Sequence, residues 1–463
     1  MKAAFHTLGC KVNQYETEAI KEAFVSRGAE IVDEDEYADV YIVNTCTVTN
    51  MADRKSRQYI RRMSSVNPEA LIVVTGCYAQ VAEDELEKMP EVDMIIGNGL
   101  KSEIADRVYS LMDKLDKSYE SDREELLPLT DVLQYKDLTH YENMGIVTSD
   151  ESSMCRAYVK IEEGCNRFCS YCLIPYARGR VRSRRPEDVV AEVKALIAKG
   201  YKEIILTGIN TALYGTEPEF EFDRKDGEDG LSGLEVIIKR LDDMAEDFRI
   251  RLSSLEPTVV DKENVERIIR YGKLCHHLHL SVQSGSNNVL KAMNRHYSRE
   301  EYLEIVSMLR EHDPLYGITT DIIVGFPGET DADFTDSVNI IKEAGFARVH
   351  AFRYSPRKGT KGAELKNKVP GVVSRNRASE IERIASDAAR EFNTKNFGKT
   401  HRVLAEEEQN GFITGYTDNY IKVYIEAAKG EDNNSTPRLG AFCRVKLIDN
   451  YKDGCKAELV YDC

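Results

Sequence analysis

The chain of 463 residues has no tryptophan, no excess of positive charge and no apolar run of the ~18 residues that a spanning helix needs. The missing tryptophan excludes nothing. The missing apolar run excludes a helical membrane protein. Lys and Arg number 63 against 79 Asp and Glu, a net charge of −16, which excludes binding to nucleic acid by bulk charge and requires any such contact to use a local basic patch. The opening MKAAFHTLGC lacks an apolar core ahead of a cleavage site, so no secretory signal and no membrane partner are expected, and the expected compartment is the reducing cytoplasm. No repeat of fixed period and no low-complexity tract is present. With 42% hydrophobic and 31% charged residues the composition is that of a globular protein, and the length suits two to four domains.

What the chain does have is eleven cysteines, an odd number, which in a reducing compartment argues for metal or redox use and against a disulfide framework. Three segments carry them. Residues 1–130 alternate short apolar runs (AAFHTLGC, DVYIVNTC, LIVVTGC, VDMIIGN) with helical patterns, the signature of an open parallel α/β domain. Residues 131–153 are polar and aperiodic and read as a linker. Residues 154–395 hold six strand-like runs, at 155–161, 203–208, 249–254, 277–283, 317–324 and 348–353, with helical patterns between them, as in a partial (βα)6 barrel. Within them, 217–230 carries seven acidic and two basic residues and reads as a solvated insertion loop. Residues 396–463 switch to short alternating runs separated by Gly, Asn and Asp, which predicts a small five-stranded β-barrel of the oligonucleotide-binding kind.

The strongest signal is CNRFCSYC, with Cys165, Cys169 and Cys172 on one loop after the first barrel strand. Three thiolates can hold three irons of a 4Fe-4S cluster and leave the fourth iron open for a substrate. The alternative is a zinc or structural cluster loop, which would want a fourth ligand that no usual spacing provides. A second set is dispersed: Cys10, Cys46 and Cys77 end three predicted strands in TLGC, VNTC and VTGC. Parallel strand ends meet at one edge, where open α/β folds bind ligands, so these thiols are expected to converge. Packing as three small apolar residues is the alternative. Cys155, Cys275, Cys443, Cys455 and Cys463 show no ligand spacing and read as packing or exposed residues.

CxxxCxxC after the first strand of a partial βα barrel resembles the radical S-adenosylmethionine superfamily. The resemblance implies a 4Fe-4S cluster whose open iron binds S-adenosylmethionine and, after one-electron cleavage, yields a 5′-deoxyadenosyl radical. Tyr171 stands where that superfamily places an aromatic residue. LTGIN, RLSSLEP, HLSVQSGS and DIIVGFPGET look like its cofactor-binding strand ends, implying S-adenosylmethionine contacts from Thr207, Gly208, Asn210, Ser253, Ser254, Glu256, Ser281 and Gln283. Tight βα turns would explain the same Gly and Ser residues. The whole chain resembles the methylthiotransferases: an N-terminal three-cysteine domain, a radical barrel and a C-terminal TRAM barrel. That resemblance implies a second 4Fe-4S cluster on Cys10, Cys46 and Cys77 that supplies a methylated sulfur. TLGCKVNQYE (7–16) is similar to the branch that acts on N6-threonylcarbamoyladenosine beside the anticodon, on its 3′ side, in tRNA. The implied partners are a tRNA anticodon stem-loop and a flavodoxin- or ferredoxin-like electron donor.

For RNA contact, RGRVRSRR offers Arg178, Arg180, Arg182, Arg184 and Arg185 beside the cluster loop, against the alternative of a solvated or salt-bridged loop. The C-terminal segment has nine Lys/Arg and eleven Asp/Glu, a poor match to phosphate, so Tyr416, Tyr420 and Tyr424 are its candidate stacking surfaces, with packing in a small barrel as the alternative. Arg54, Lys55, Arg57, Arg61 and Arg62 form a second basic stretch or a charged helix face. His277 and His279 alternate onto one strand face and read as core or site lining. Three other functions stay open. One is methylthiolation of isopentenyladenosine or of a ribosomal-protein aspartate. Another is a non-catalytic iron–sulfur RNA-binding module. The third is a radical enzyme that uses the first cysteine set only for electron transfer.

Overall fold

The computed structural model describes residues 1–117, 128–147, 155–257, 262–427 and 437–460. The first unit is a six-stranded parallel sheet ordered Glu30–Val32, Lys2–Thr7, Val40–Thr45, Leu71–Gly76, Met94–Ile96, Leu129–Asp131. The four predicted strands are there, and a three-residue strand joins each edge. The two central strands are buried along their whole length, because helices cover both faces and every side chain meets apolar neighbours. Ile20, Phe24 and Val108 pack on one face, and Ile60, Met63 and Leu86 on the other.

The segment read as a linker is not free. Residues 129–131 complete the sheet by pairing with Met94–Ile96, and the chain to 147 is wedged between the sheet and the barrel. Leu138 and Val147 are buried. Gln80 Nε2 donates to Leu133 O at 2.6 Å, and Tyr141 Oη donates to Lys160 O at 3.0 Å. Polar composition hid this role because backbone groups make most of the contacts. Residues 148–153 and Cys463 lie outside the described residues.

The six expected barrel strands form, all parallel: Arg156–Lys160, Glu203–Thr207, Arg249–Leu252 continued by Ser254–Leu255, His277–Leu280, Gly317–Val324 and Arg348–Arg353. The third strand breaks at Ser253, where the sheet turns. Alternation sorts the side chains. Val159, Ile204, Leu206, Ile250, Leu278 and Ile318 pack under the helices. The intervening positions, among them Tyr158, Arg251, His277, His279, Asp321 and His350, line the lumen. In the acidic stretch 217–230 five of the seven carboxylates are exposed, as a solvated loop requires, and two are held. Glu228 is buried on Arg240 (2.8 Å), and Glu217 accepts from Ser183.

The C-terminal unit is a closed five-stranded barrel ordered Thr400–Gln409, Phe412–Thr417, Lys422–Glu426, Gly454–Leu459, Phe442–Tyr451. It docks on the amino-terminal ends of the central strands, opposite the cysteine loop. Arg249 donates to Asp418 Oδ1 at 2.8 Å and Tyr416 O at 3.0 Å, and Arg251 to Thr417 O at 3.2 Å. Glu203, fully buried, accepts from both arginines. Its carboxyl stays below the usual range because the two guanidiniums outweigh the burial that opposes ionisation. This docking corrects the reading of Tyr416 and Tyr420 as stacking surfaces for RNA. Tyr420 stacks on His277 at 4.3 Å and on Tyr416 at 4.9 Å, with the Arg251 guanidinium 4.9 Å from its ring. Both rings are spent on the interface between units. Tyr424 packs within its own barrel and donates to Asp453.

Removing the Glu203 carboxylate strands two buried guanidiniums. Glu203→Ala is expected to cost roughly 3–5 kcal/mol, read as a lower urea midpoint for loss of the barrel signal.

Candidate active site

Each cysteine of the dispersed set sits where a strand hands over to a helix. Cys10 caps Lys11–Val25, Cys46 follows Val40–Thr45, and Cys77 opens Cys77–Val81 directly after Leu71–Gly76. The loops touch. Gly9 has φ +110°, and a Cβ there would lie 2.8 Å from Cys46 Cβ; only glycine allows this approach. Asn13 Nδ2 ties the first loop to the second through Leu8 O (2.8 Å) and Thr45 O (2.9 Å). Burial pushes the Cys46 thiol up to about 12, and the neighbouring Cys77 and Cys10 thiols push further while Arg178 pulls the other way. Thr45 pairs with Gly76, so Cys46 and Cys77 leave neighbouring strand ends, and Gly9 against Cys46 brings Cys10 to the same edge.

The second set lies on the loop after Arg156–Lys160. Cys165 N donates to Gly179 O (3.0 Å) and Cys172 N to Cys169 O (3.0 Å), while Phe168 turns the loop at φ +48°. Burial, then the charge of Cys169, raises Cys172 to about 12. Asn98 Nδ2 lies 3.8 Å from Cys77 Sγ and donates to Ala177 O at 2.8 Å on the helix after Cys172, which brings the two sets face to face.

One side chain joins them. Arg178 ends the short helix Ile174–Arg178 behind Cys172 and is fully buried. Its Nε donates to Cys77 Sγ at 3.2 Å, Nη2 to Asn13 Oδ1 at 2.6 Å, and Nη1 to Glu16 at 2.8 Å and Glu163 at 2.6 Å. Lys101 pairs with Glu16, and Lys160 bonds Glu16 at 3.0 Å and Glu163 at 3.3 Å. Burial works against ionising Glu16, yet Arg178, Lys101 and Lys160 hold it well below the usual range. With Arg182, 3.6 Å from Glu163, four buried cations face two carboxylates, and the surplus positive charge of Arg178 lies against the thiols. Three thiolates on an iron–sulfur cube supply the missing anion, so the donor set fits an anionic cluster. Among the described residues no three His, Cys, Asp or Glu groups are gathered at the spacing of a single metal ion; thiolates on different irons of a cube require wider spacing.

The strand ends expected to hold S-adenosylmethionine ring the cysteine loop. Asn210 Nδ2 donates to Glu256 at 3.0 Å, its backbone N donates to Glu162, and a Cβ on Gly208 would crowd Glu162. Arg295, which the sequence reading missed, donates to Cys169 Sγ at 3.3 Å and Ser281 O at 3.1 Å, and pairs with Glu256 at 3.5 Å. Tyr171 lies within the field of Arg295 and Cys169. Gln283 is held at φ +66°, and Thr207 and Ser254 lie at neighbouring strand ends. Glu162 Oε2 and Ser253 Oγ are buried without a hydrogen-bond partner among the described residues. Burial pushes the Glu162 carboxyl well above the usual carboxylate range. Two orphaned polar atoms beside the cysteines fit a polar ligand there.

Three of the five loop arginines are not available to phosphate, which corrects the expectation. Arg178 is buried as described; Arg182 donates to Leu138 O and Arg178 O at 2.8 Å; Arg184 pairs with Glu192. Arg180 and Arg185 are exposed and border a groove of about 900 Å3 with Lys136, Asn166 and Glu217. In the second basic stretch Arg57, Arg61 and Arg62 pair with Glu85, Glu91 and Asp35, a charged outer face. Arg357, also missed, clamps the loop after Cys46 through Thr47, Asn50 and Asp53, each at 2.6 Å.

Residues 159–341 match the Radical SAM superfamily and residues 2–97 the Uncharacterized protein family UPF0004. The chain is 38% identical to the threonylcarbamoyladenosine tRNA methylthiotransferase MtaB of Bacillus subtilis (strain 168), over 99% of this chain and 97% of that protein. The chain belongs to the radical S-adenosylmethionine methylthiotransferases. The MtaB of Aquifex aeolicus is 38% identical over 93% of this chain and 98% of its own. The tRNA-2-methylthio-N(6)-dimethylallyladenosine synthase of Clostridium botulinum (strain Langeland / NCTC 10281 / Type F) is 37% identical over 96% and 93%. The radical S-adenosylmethionine methyltransferase TsrM of Kitasatospora setae shares the fold, with a TM-score of 0.56 at 12% identity over 78% of this chain and 75% of that one. As a methylthiotransferase the protein uses S-adenosylmethionine and two 4Fe-4S clusters.

For this methylthiotransferase, Cys46→Ala and Cys165→Ala are each expected to lower iron in anaerobically prepared protein from about eight to about four per chain. Cys46→Ala should abolish sulfur insertion while S-adenosylmethionine cleavage survives. Gly9→Ala should lose the same four irons as Cys46→Ala, because its Cβ displaces the ligand.

Proposed function

We propose that this methylthiotransferase acts on tRNA, converting N6-threonylcarbamoyladenosine next to the anticodon, on its 3′ side, into its 2-methylthio derivative. The observation that carries the reading is the near-full-length similarity to proteins named for that reaction, at 38% identity in two bacteria. The facing of two incomplete cysteine sets across Arg178 supports it. Carbon 2 of adenine is an unactivated C–H with no acid–base route at neutral pH. The bound cofactors supply a carbon radical and a methylated sulfur, and the protein positions them.

In this reading Cys165, Cys169 and Cys172 hold the cluster that binds S-adenosylmethionine. Cys10, Cys46 and Cys77 hold the sulfur-carrying one. Asn210, Glu256, Ser281 and Gln283, with Tyr171, Thr207, Gly208, Ser253 and Ser254, cradle S-adenosylmethionine. Arg295 orients Cys169 and Glu256. The exposed Arg180 and Arg185 contact phosphates of the anticodon stem-loop. The electron comes from a flavodoxin- or ferredoxin-like protein, and the enzyme works in the cytoplasm. No helix among the described residues is long and apolar enough to cross a membrane.

Methylthiolation of isopentenyladenosine is the second reading, favoured by the 37% identity to a dimethylallyladenosine synthase. Nucleoside mass spectrometry of tRNA from cells lacking this gene separates the two. Loss of the 2-methylthio-threonylcarbamoyl nucleoside is expected; loss of the 2-methylthio-isopentenyl nucleoside instead overturns the proposal.

A further inference from the structure

Lys11 directly follows Cys10, and nothing above uses it. It is half-buried, and its Nζ stands 5.6 Å from the centroid of Tyr158, a residue of the first barrel strand. The barrel is open between Arg156–Lys160 and Arg348–Arg353, which do not pair. The helix Lys11–Val25 lies at that opening, where its Glu16 bonds Lys160. Lys11 therefore enters the lumen from the side.

What it meets there is positive or already paired. Arg251 and Arg156 are its cationic neighbours. Of the lumen carboxylates, Glu203 is held by Arg249 and Arg251, and Asp321 by His279 (3.3 Å) and Ser281 (3.2 Å). Among the described residues no carboxylate lies within ion-pair distance of Lys11. A half-buried ammonium that is flanked by cations and has no ion-pair partner is stabilised when an anion arrives. The lumen thus keeps a vacancy for one negative group, within a side chain's reach of Cys10.

The proposed substrate brings such a group. On adenine, carbon 2 and the N6-bearing carbon flank the same ring nitrogen, so carbon 2 cannot approach the sulfur-carrying site without its N6 substituent entering the adjoining space. The threonylcarbamoyl substituent ends in a carboxylate; the isopentenyl substituent is apolar.

The geometry points to Lys11 as the residue that selects the substrate, by pairing with the carboxylate of the N6 substituent. This rests on the proposed function and adds the group that reads it. Lys11 is a specificity residue: it touches the substrate away from the reacting carbon.

The test compares wild type, Lys11→Met and Lys11→Arg, each with its iron content measured. The probes are anticodon stem-loops carrying threonylcarbamoyladenosine, its methyl ester, or isopentenyladenosine, and the readouts are Kd and methylthiolation KM. The wild type is expected to bind the free carboxylate at least tenfold more tightly than the ester. Lys11→Met should lose that preference and raise KM for the free carboxylate at least tenfold, with iron content and uncoupled S-adenosylmethionine cleavage unchanged, and Lys11→Arg should restore part of it. Discrimination retained in Lys11→Met overturns the inference, as does loss of iron in that variant, which would make Lys11 a support of the Cys10 loop. A wild type that modifies only the isopentenyl stem-loop overturns the substrate reading itself.

Discussion

The protein is organised around a buried ion network that belongs to neither of the units it joins. Glu16 and Lys101 come from the first sheet domain, and Lys160, Glu163 and Arg178 from the barrel. Charges this deep are tolerated only when paired and hydrogen-bonded. Sliding one unit against the other would unpair several at once, so the network fixes the relative position of two separately folded scaffolds. That position matters because each scaffold carries three cysteines, and the chemistry requires the two sets to face each other.

The network also joins structure to charge. Its surplus cation, Arg178, lies on the sulfur of Cys77, so the group that locks the units together is the one that complements an anionic cluster. Arg178 stands six residues after Cys172 on the same loop and short helix. A displacement of either cysteine set is therefore felt by the other through one rigid side chain. Arg357 repeats the arrangement on a smaller scale, tying the end of the barrel to the loop that follows Cys46.

The two ends of the partial barrel have different duties. At the carboxyl ends glycines, short polar side chains and cysteines leave room for ligands, as in other βα barrels. At the amino ends Arg249 and Arg251, both held by Glu203, bind the C-terminal barrel through its backbone carbonyls. Tyr416 and Tyr420 are consumed there, so that barrel's inner edge is structural, and any RNA contact it makes must come from its other faces.

The sequence by itself determined the elements and the ligand types. Apolar runs fully buried in a parallel sheet, alternation in the barrels and the Cys165–Cys169–Cys172 spacing are local patterns, set by a few consecutive residues. So is the placing of Cys10, Cys46 and Cys77 at strand ends, from which their meeting follows by topology. Only the tertiary structure decided which charges are buried. Arg178, Arg182 and Arg184 look like a basic patch in sequence because their partners, Glu16, Glu163 and Glu192, lie up to 162 positions away or on another element. Likewise, nothing near Lys11 in sequence shows that its side chain enters another unit's barrel and finds no carboxylate free there. Pairing of charges is a property of space rather than of order along the chain, and that is why it had to be seen folded.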